Sequence, residues 1–550
     1  MIAWRACTAG ALLLGAMSVA HAAAALPSSD AGEKIYRQGL LETGAPLRGQ
    51  REASGLRVRG ADAACVNCHQ RSGLGTTEGR NKIPPVAGAY LFSPRASNLD
   101  ESARPYVEGM RADREPYTEQ TLARAIRDGV DSEGKPLSYL MPRFALGDAD
   151  MAALIAYLKT MDVRTLPGVT DTVLHFATII TPDADPVKRT GMLSVIEQYF
   201  KDKNDKAFLI GPSARMHPSG RTMYSKSMFM VPRRWQLHVW QLSGPASTWE
   251  QQLAGFMARE PVFAVISGLG GRDWTPVHRF CEREQVPCLF PNVEVPVDAD
   301  QDFYSVYFSK GVLLEAELIA GKLAGHGASS PKAVHQIYRA GDSGEAAGAA
   351  LTAALKARGI MVQSHIVAAG AGGEGVAAAL RQAEDPDALV LWLRAADLAQ
   401  LGSEPPARAA VYVSGLMGAL ERSPLPGAWR SRAEMTYPFD LPEKRRVRVD
   451  YPLGWLSLRH IPLVAEQVQA DTYLACGLLS ETINHLTDAF MRPYLVERLQ
   501  TTIEHRIMTG YYPHLTLASN QRFASKGGYI VHFADASGVK VVPDSGWVVP

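Results

Sequence analysis

The most chemically loaded run in this 550-residue chain is Cys65-Val66-Asn67-Cys68-His69. Two thiols at this spacing can add to the two vinyl groups of one porphyrin. The imidazole that follows then lies under the iron as an axial ligand, so C-x-x-C-H is the attachment run of c-type haem. A C-x-x-C pair without the His more often does redox chemistry or binds zinc. The run occurs once, which predicts one covalent haem and argues against a two-haem peroxidase. The sixth iron ligand is expected from Tyr139-Leu140-Met141-Pro142-Arg143-Phe144, the alternative being a vacant or water-ligated position. A Met141 thioether is a soft, neutral donor that stabilises ferrous iron and raises the potential, and Pro142 would stiffen its loop. Met151 and Met161 fit the face or end of a helix, and Met110 sits among Glu108, Arg111 and Asp113 as a loop residue. His69 is the one histidine of this segment, which removes a His/His pair. Two strong protein ligands suit electron transfer rather than oxygen binding.

These residues need elements to hold them. Helices are expected at Ala31–Leu41, at Thr118–Asp128 with Thr118 as N-cap, and at Asp148–Met161 with Met151, Leu154, Ile155 and Leu158 on one face. Gly44–Pro94, rich in Gly, Pro, Arg and Asn, reads as loop. So few apolar residues would struggle to form a core unless a large flat cofactor supplied apolar surface. A Pro-Gly break falls at Thr165–Thr170. Beyond it strands and helices alternate: strands at Val173–Ile180, Leu237–Leu242, Val262–Ser267 and Pro287–Phe290, then a second set at Ala333–Tyr338, Val362–Ala368, Ala388–Leu393 and Ala410–Ser414. Helices lie between them, and Ala470–Arg506 is a long helical region broken near Pro493. The alternation predicts two α/β lobes with parallel sheets.

The first segment resembles a class I cytochrome c. It carries Gly32-x-x-Ile35-Tyr36, the C-x-x-C-H run, Pro84-Pro85-Val86-Ala87-Gly88, the Met141-Pro142-Arg143-Phe144 loop and a closing helix with Leu154-Ile155-Ala156-Tyr157-Leu158-Lys159. The resemblance implies that the Pro84 carbonyl accepts the His69 ring N–H and fixes its tautomer. The stretches Tyr36–Cys65 and Leu91–Pro116 are longer than in the smallest members.

The rest is similar to the type I periplasmic binding proteins of branched-chain amino-acid and amide transporters. The likeness runs through Phe263–Gly268, Val286–Pro291, Tyr307–Gly311, Arg339–Asp342 and Gln521–Tyr529. The fold expected overall is multidomain: an all-α class I cytochrome c domain followed by a two-lobed α/β periplasmic-binding-protein type I domain. Such a fold implies a ligand cleft at the strand ends. That points to Ser267, Gly268, Gly270, Gly271, Asn292 and Glu294 in lobe one and to Asp342, Ser343 and Ser414 in lobe two. The competing roles are a turn for Gly270-Gly271 and a helix cap for Asp342. Gly271 and Glu294 stand where amino-acid binders carry hydroxyls, and Ser343 and Ser414 replace a stacking Tyr and an acidic residue. A standard amino acid is therefore not the expected solute.

Composition sets the outer bounds. Formal net charge is +1 and 46% of residues are hydrophobic, which gives no bulk attraction to nucleic acid. Arg5, the apolar stretch Ala9–Ala20 and Ala20-His21-Ala22 read as an export signal over residues 1–22, so the mature chain is expected in the periplasm without a membrane span. The domains are drawn at 27–166 and 172–545. Cys7 falls in the signal. Cys281 and Cys288 are either a disulfide or two buried thiols, and Cys476 reads as inert core. His278, His460, His485 and His505 read as surface or satisfied core. With no nucleophile–base pair or phosphate loop, the chain reads as a non-catalytic electron carrier. Redox proteins are its expected partners, and its second domain docks one of them or binds a small solute. The alternative is a solute receptor of an ABC-type uptake system with the haem as redox reporter.

Overall fold

The computed structural model describes residues 29–52, 54–78, 81–92, 114–161, 166–209, 233–299, 302–325, 331, 333–384, 386–419, 422–486, 489–518 and 521–550. The expected export signal, Cys7 and Met110 lie outside them. The chain forms two compact units. The smaller takes Met1–His69, Val86–Arg95 and Ala112–Met161, and the larger takes Gln70–Pro85 and Asp162–Pro550 among its segments.

In the smaller unit the helix Ser29–Gln38 crosses the helix Asp148–Thr160. Gly32 makes the crossing close: a Cβ there would stand 2.1 Å from the Ala153 carbonyl oxygen and 2.7 Å from Tyr157 Cβ. Tyr36 packs on Tyr157 with ring centroids 5.5 Å apart. Thr118 caps the helix Glu119–Asp128, its hydroxyl accepting from the Thr121 N–H, and Gly129 ends it in the left-handed region at φ 70°. The unit is not purely helical. Strands β1 (Arg48–Gln50) and β2 (Arg57–Arg59) pair antiparallel. Both fall in the stretch read from sequence as loop. Three-residue strands such as Arg-Val-Arg offer no period-2 apolar signal long enough to see. In the larger unit, β3 (Thr76–Glu78) and β4 (Asn81–Ile83) form a small hairpin. Back in the smaller unit, β5 (Arg143–Phe144) adds to β1.

The rest of the larger unit is built on two sheets. The first holds β6 (Val173–Ile180), β7 (Arg234–Gln241), β8 (Ala264–Ile266), β9 (Cys288–Leu289) and β10 (Ser305–Val306), all parallel, in the order β10-β9-β8-β6-β7. The second holds β11 (Val334–Arg339), β12 (Val362–Val367), β13 (Ala388–Trp392), β14 (Ala410–Val413), β15 (Ala433–Tyr437), β16 (Tyr529–Phe533) and β17 (Val541–Pro543). Its order is β12-β11-β13-β14-β15-β16-β17, parallel except for β16, which runs antiparallel to both its neighbours. Each sheet thus begins second-first-third-fourth-fifth, the doubly wound order whose switch point lies between first and third strands.

The parallel strands are buried on both faces, as Ala388–Trp392 illustrates at full burial. Trp240, Phe280, Val277 and Cys281 pack one core, and Trp392, Leu351, Ile319 and Val334 another. The expected long helical region is two helices, Glu466–Leu486 and Arg492–Glu504, with Pro493 in the opening turn of the second. Cys281 and Cys288 form a disulfide with Cα atoms 6.1 Å apart, and Cys476 is buried in its helix.

Candidate functional site

One helical turn, Val66–His69, carries the motif. The Cys65 carbonyl accepts from the Cys68 N–H at 3.2 Å and the His69 N–H at 2.9 Å, and Asn67 Nδ2 ties the turn to the Ala61 carbonyl at 2.8 Å. A second turn presents Met141. Its N–H donates to the Ser138 carbonyl at 3.1 Å, and Arg143 Nη1 donates to its carbonyl at 2.8 Å. Arg143 also pairs with Glu52 at 3.1 Å. The strand β5, beginning two residues after Met141, is held by β1, and a Cβ on Gly49 would stand 3.0 Å from both Pro142 and Phe144. The insertion after Tyr36 therefore braces the methionine loop.

Cys65, Cys68, His69 and Met141 are all half-buried. Met151 and Met161 are buried, as expected of core methionines. Cys65 and Cys68 form no disulfide with each other, although the chain holds one elsewhere. Burial pushes the Cys65 thiol up to about 12. Two thiols, one imidazole and one thioether are a fitting donor set for a covalent haem.

Residues 59–162 match the Cytochrome c family model. No curated protein matches the chain. Among solved structures it is similar to an ABC-transporter substrate-binding protein from Aeropyrum pernix, at 15% identity and TM-score 0.49 over 69% of this chain and 96% of that one. A leucine-binding protein from Thermotoga maritima is similar at 13% identity and TM-score 0.48, over 69% and 99%. A branched-chain amino-acid transporter protein from Thermus thermophilus with bound valine is similar at 10% identity and TM-score 0.46, over 69% and 97%.

Those sheets place the expected cleft residues at strand ends, where the chain itself satisfies their polar groups. Ser267 is fully buried, its hydroxyl 2.9 Å from Thr472 Oγ1 and accepting from Asn292 Nδ2 at 3.1 Å. Gly268 and Gly270 lie against the Trp274 ring, which a Cβ would meet at 2.6 and 2.7 Å. Gly271 lies against the Asp183 carboxylate and donates its N–H to Thr181 Oγ1 at 2.9 Å. Asp342 caps its helix through the Ser343 N–H at 2.8 Å. Ser414 is fully buried and donates to Glu315, which also accepts from Thr436 Oγ1 and the Leu416 N–H. Burial nevertheless pushes Glu315 up to about 7.

Glu294, Asp342 and Ser343 are brought together, but on a residue the sequence reading missed. Arg394, just beyond β13, donates to Glu294 Oε1 and Oε2 at 2.8 and 2.7 Å and to Asp342 Oδ2 and Oδ1 at 2.9 and 2.6 Å. Its signal was available in Leu391-Trp392-Leu393-Arg394: a charge at the carboxyl end of an apolar strand sits where such sheets bind things.

The histidine reading stands for His278, a buried core residue held by the Tyr307 hydroxyl at 2.8 Å and Asp302 at 2.8 Å. It groups with Glu282 and Asp302 closely enough to hold a metal ion. The Glu282 carboxylate, however, is engaged by the N–H groups of Phe303, Tyr304 and Ser305. Within the larger unit the segment Gln70–Pro85 is also pinned. The Ser72 N–H donates to the half-buried Glu497 at 2.9 Å, and the Arg71 guanidinium lies 4.3 Å over the Phe303 ring. Pro84 belongs to this segment. Among the described residues no helix is long and apolar enough to cross a membrane.

Proposed function

We propose that the protein is an exported, periplasmic, monohaem c-type cytochrome that carries single electrons. It is joined to a two-lobed, periplasmic-binding-protein-like domain that docks a partner protein or binds a small solute. The observation that carries this reading is the set of Cys65, Cys68 and His69 on one turn, with Met141 on a second, braced turn, inside a segment that matches Cytochrome c. When bound, the haem supplies a one-electron couple. Cys65 and Cys68 would hold it as thioethers, and His69 and Met141 would supply the protein ligands to its iron. Two protein ligands would suit such a group to electron transfer, which supports reading the chain as a carrier rather than an enzyme. On this reading the haem domain is drawn at 27–166 and the binding-protein-like domain at 172–545, although Gln70–Pro85 belongs to the larger compact unit.

Maturation in a host competent for cytochrome assembly, followed by haem staining on a denaturing gel and native mass spectrometry, tests the reading. One covalent haem per chain is expected, and colourless protein overturns it. The second reading, a solute receptor of an ABC-type system, is favoured by the switch-point order of both sheets. A thermal shift with one solute class would support it, and no shift across a broad panel would favour docking.

A further inference from the structure

In a doubly wound sheet the loops after the first and third strands flank the binding crevice. In the second sheet those loops follow β11 and β13, and they supply Asp342 with Ser343, and Arg394. Glu294 comes from the loop after β9 of the first sheet. The Arg394 guanidinium uses all three of its nitrogens. Nη1 and Nη2 fork onto the two oxygens of Glu294, Nε and Nη2 fork onto those of Asp342, and Nη2 lies 3.3 Å from Ser343 Oγ. Ser343 Oγ in turn donates to Glu294 Oε2 at 2.8 Å. Lys188 Nζ stands 3.4 Å from Glu294 Oε1, so two carboxylates face two cations. A second tie between the loops of the two sheets runs from Arg272 Nη1 to the Gly341 carbonyl at 3.0 Å. Paired forks on two carboxylates are the planar recognition that a guanidinium, and not an ammonium, can make.

We infer that Glu294, Asp342 and Ser343 form a guanidinium-binding site whose ligand is built into the chain as Arg394, so that the crevice is latched from within rather than kept open for a solute. The inference rests on reading the larger unit as binding-protein-like and says which use that fold has been put to. The carboxyls expected from sequence to meet a solute meet Arg394 instead. Although burial works to raise the Glu294 carboxyl, Arg394 and Lys188 hold it down at about 2. The latch is therefore fully present above the ordinary carboxylate range and is lost as pH falls toward 2.

The test uses the full-length haem-loaded protein. Arg394→Ala should lower the thermal unfolding midpoint of the larger unit by several degrees. Millimolar methylguanidinium should restore part of that loss, methylammonium should not, and neither should shift the wild type. Arg394→Lys keeps the charge but loses the double fork, so its midpoint should also fall. A wild-type midpoint in Arg394→Lys, or the same response to methylguanidinium in Arg394→Ala and wild type, would overturn the proposal. Should Arg394→Ala fail to accumulate, Arg394→Lys and Asp342→Asn, which keeps a competent helix cap, decide the matter on the same readout. The haem absorption spectrum should be unchanged in every variant. Absence of haem from the wild type would speak against the cytochrome reading, and absence of a methylguanidinium response in Arg394→Ala against the latch.

Discussion

The two sets of residues that the sequence marked for chemistry have met different fates. Cys65, Cys68, His69 and Met141 sit half-buried on two short turns, with the cysteine pair outside any disulfide. Ser267, Asn292, Glu294, Asp342, Ser343 and Ser414 sit at strand ends and are bonded to one another or to Arg394, Thr472 and Glu315. A site retained for an outside group keeps suitable donors near the surface. A site whose donors are matched inside the chain has its ligand already, because a buried polar group without a partner costs about 1–3 kcal/mol. Fold position alone does not separate these cases, since the second set lies where doubly wound sheets bind ligands.

The sharpest way to break the contrast is to remove the thiols. Cys65→Ser with Cys68→Ser should abolish covalent haem on a denaturing gel, while the larger unit keeps a cooperative thermal transition. Loss of both signals together would mean that the units do not fold independently. Next in size, Met141→Ala should lower the reduction potential and remove the sulfur-to-iron charge-transfer band of the ferric protein. An unchanged ferric spectrum would take Met141 off the iron. Gly32→Leu should then destabilise the cytochrome c segment by about 3 kcal/mol or more, because its side chain meets the Ala153 carbonyl. Chemical denaturation followed by Soret absorption measures this.

The smallest effect concerns a buried acid of the larger unit. Burial pushes Asp471 up to about 7, and the Tyr512 hydroxyl, which donates to it at 3.2 Å, only partly offsets this. An unfolded Asp titrates near about 3.9. Between these values the folded chain holds the extra proton, so wild-type stability falls as pH rises through this window. Asp471→Asn should be more stable than wild type at pH ~8, with the gap closing toward pH ~4. A gap independent of pH in thermal melts would show that Asp471 does not carry it. Glu315 and Glu497, both also raised to about 7 by burial, leave a residual slope of the same sign.

What could be read in advance follows from how local each signal is. The haem run spans five residues and needs no tertiary information. The strand at Val173–Ile180 was expected with the bounds it has, because an apolar run flanked by turn residues reports itself. The capping Thr118 was also visible, since its partner is three residues away. The helix Pro442–Leu458 was missed: Pro452 lies inside it, and its charged, mixed composition gives little helical periodicity. Strands β15 to β17 were missed because β16 runs antiparallel to both its neighbours, which breaks the β-α alternation used to find the others. The Arg394 site joins residues 52 and 100 positions apart. No window along the chain contains it, so only tertiary structure could assemble it.

The Cys281–Cys288 bridge sets a timing problem for the newly made chain. An oxidant strong enough to close it also meets Cys65 and Cys68, which must both be thiols when they react with the porphyrin. Thiol–disulfide exchange is indifferent to which pair was intended and depends on access and reactivity. Maturation therefore has to protect or re-reduce one pair while letting the other oxidise, and the yield of coloured protein will track that order of events.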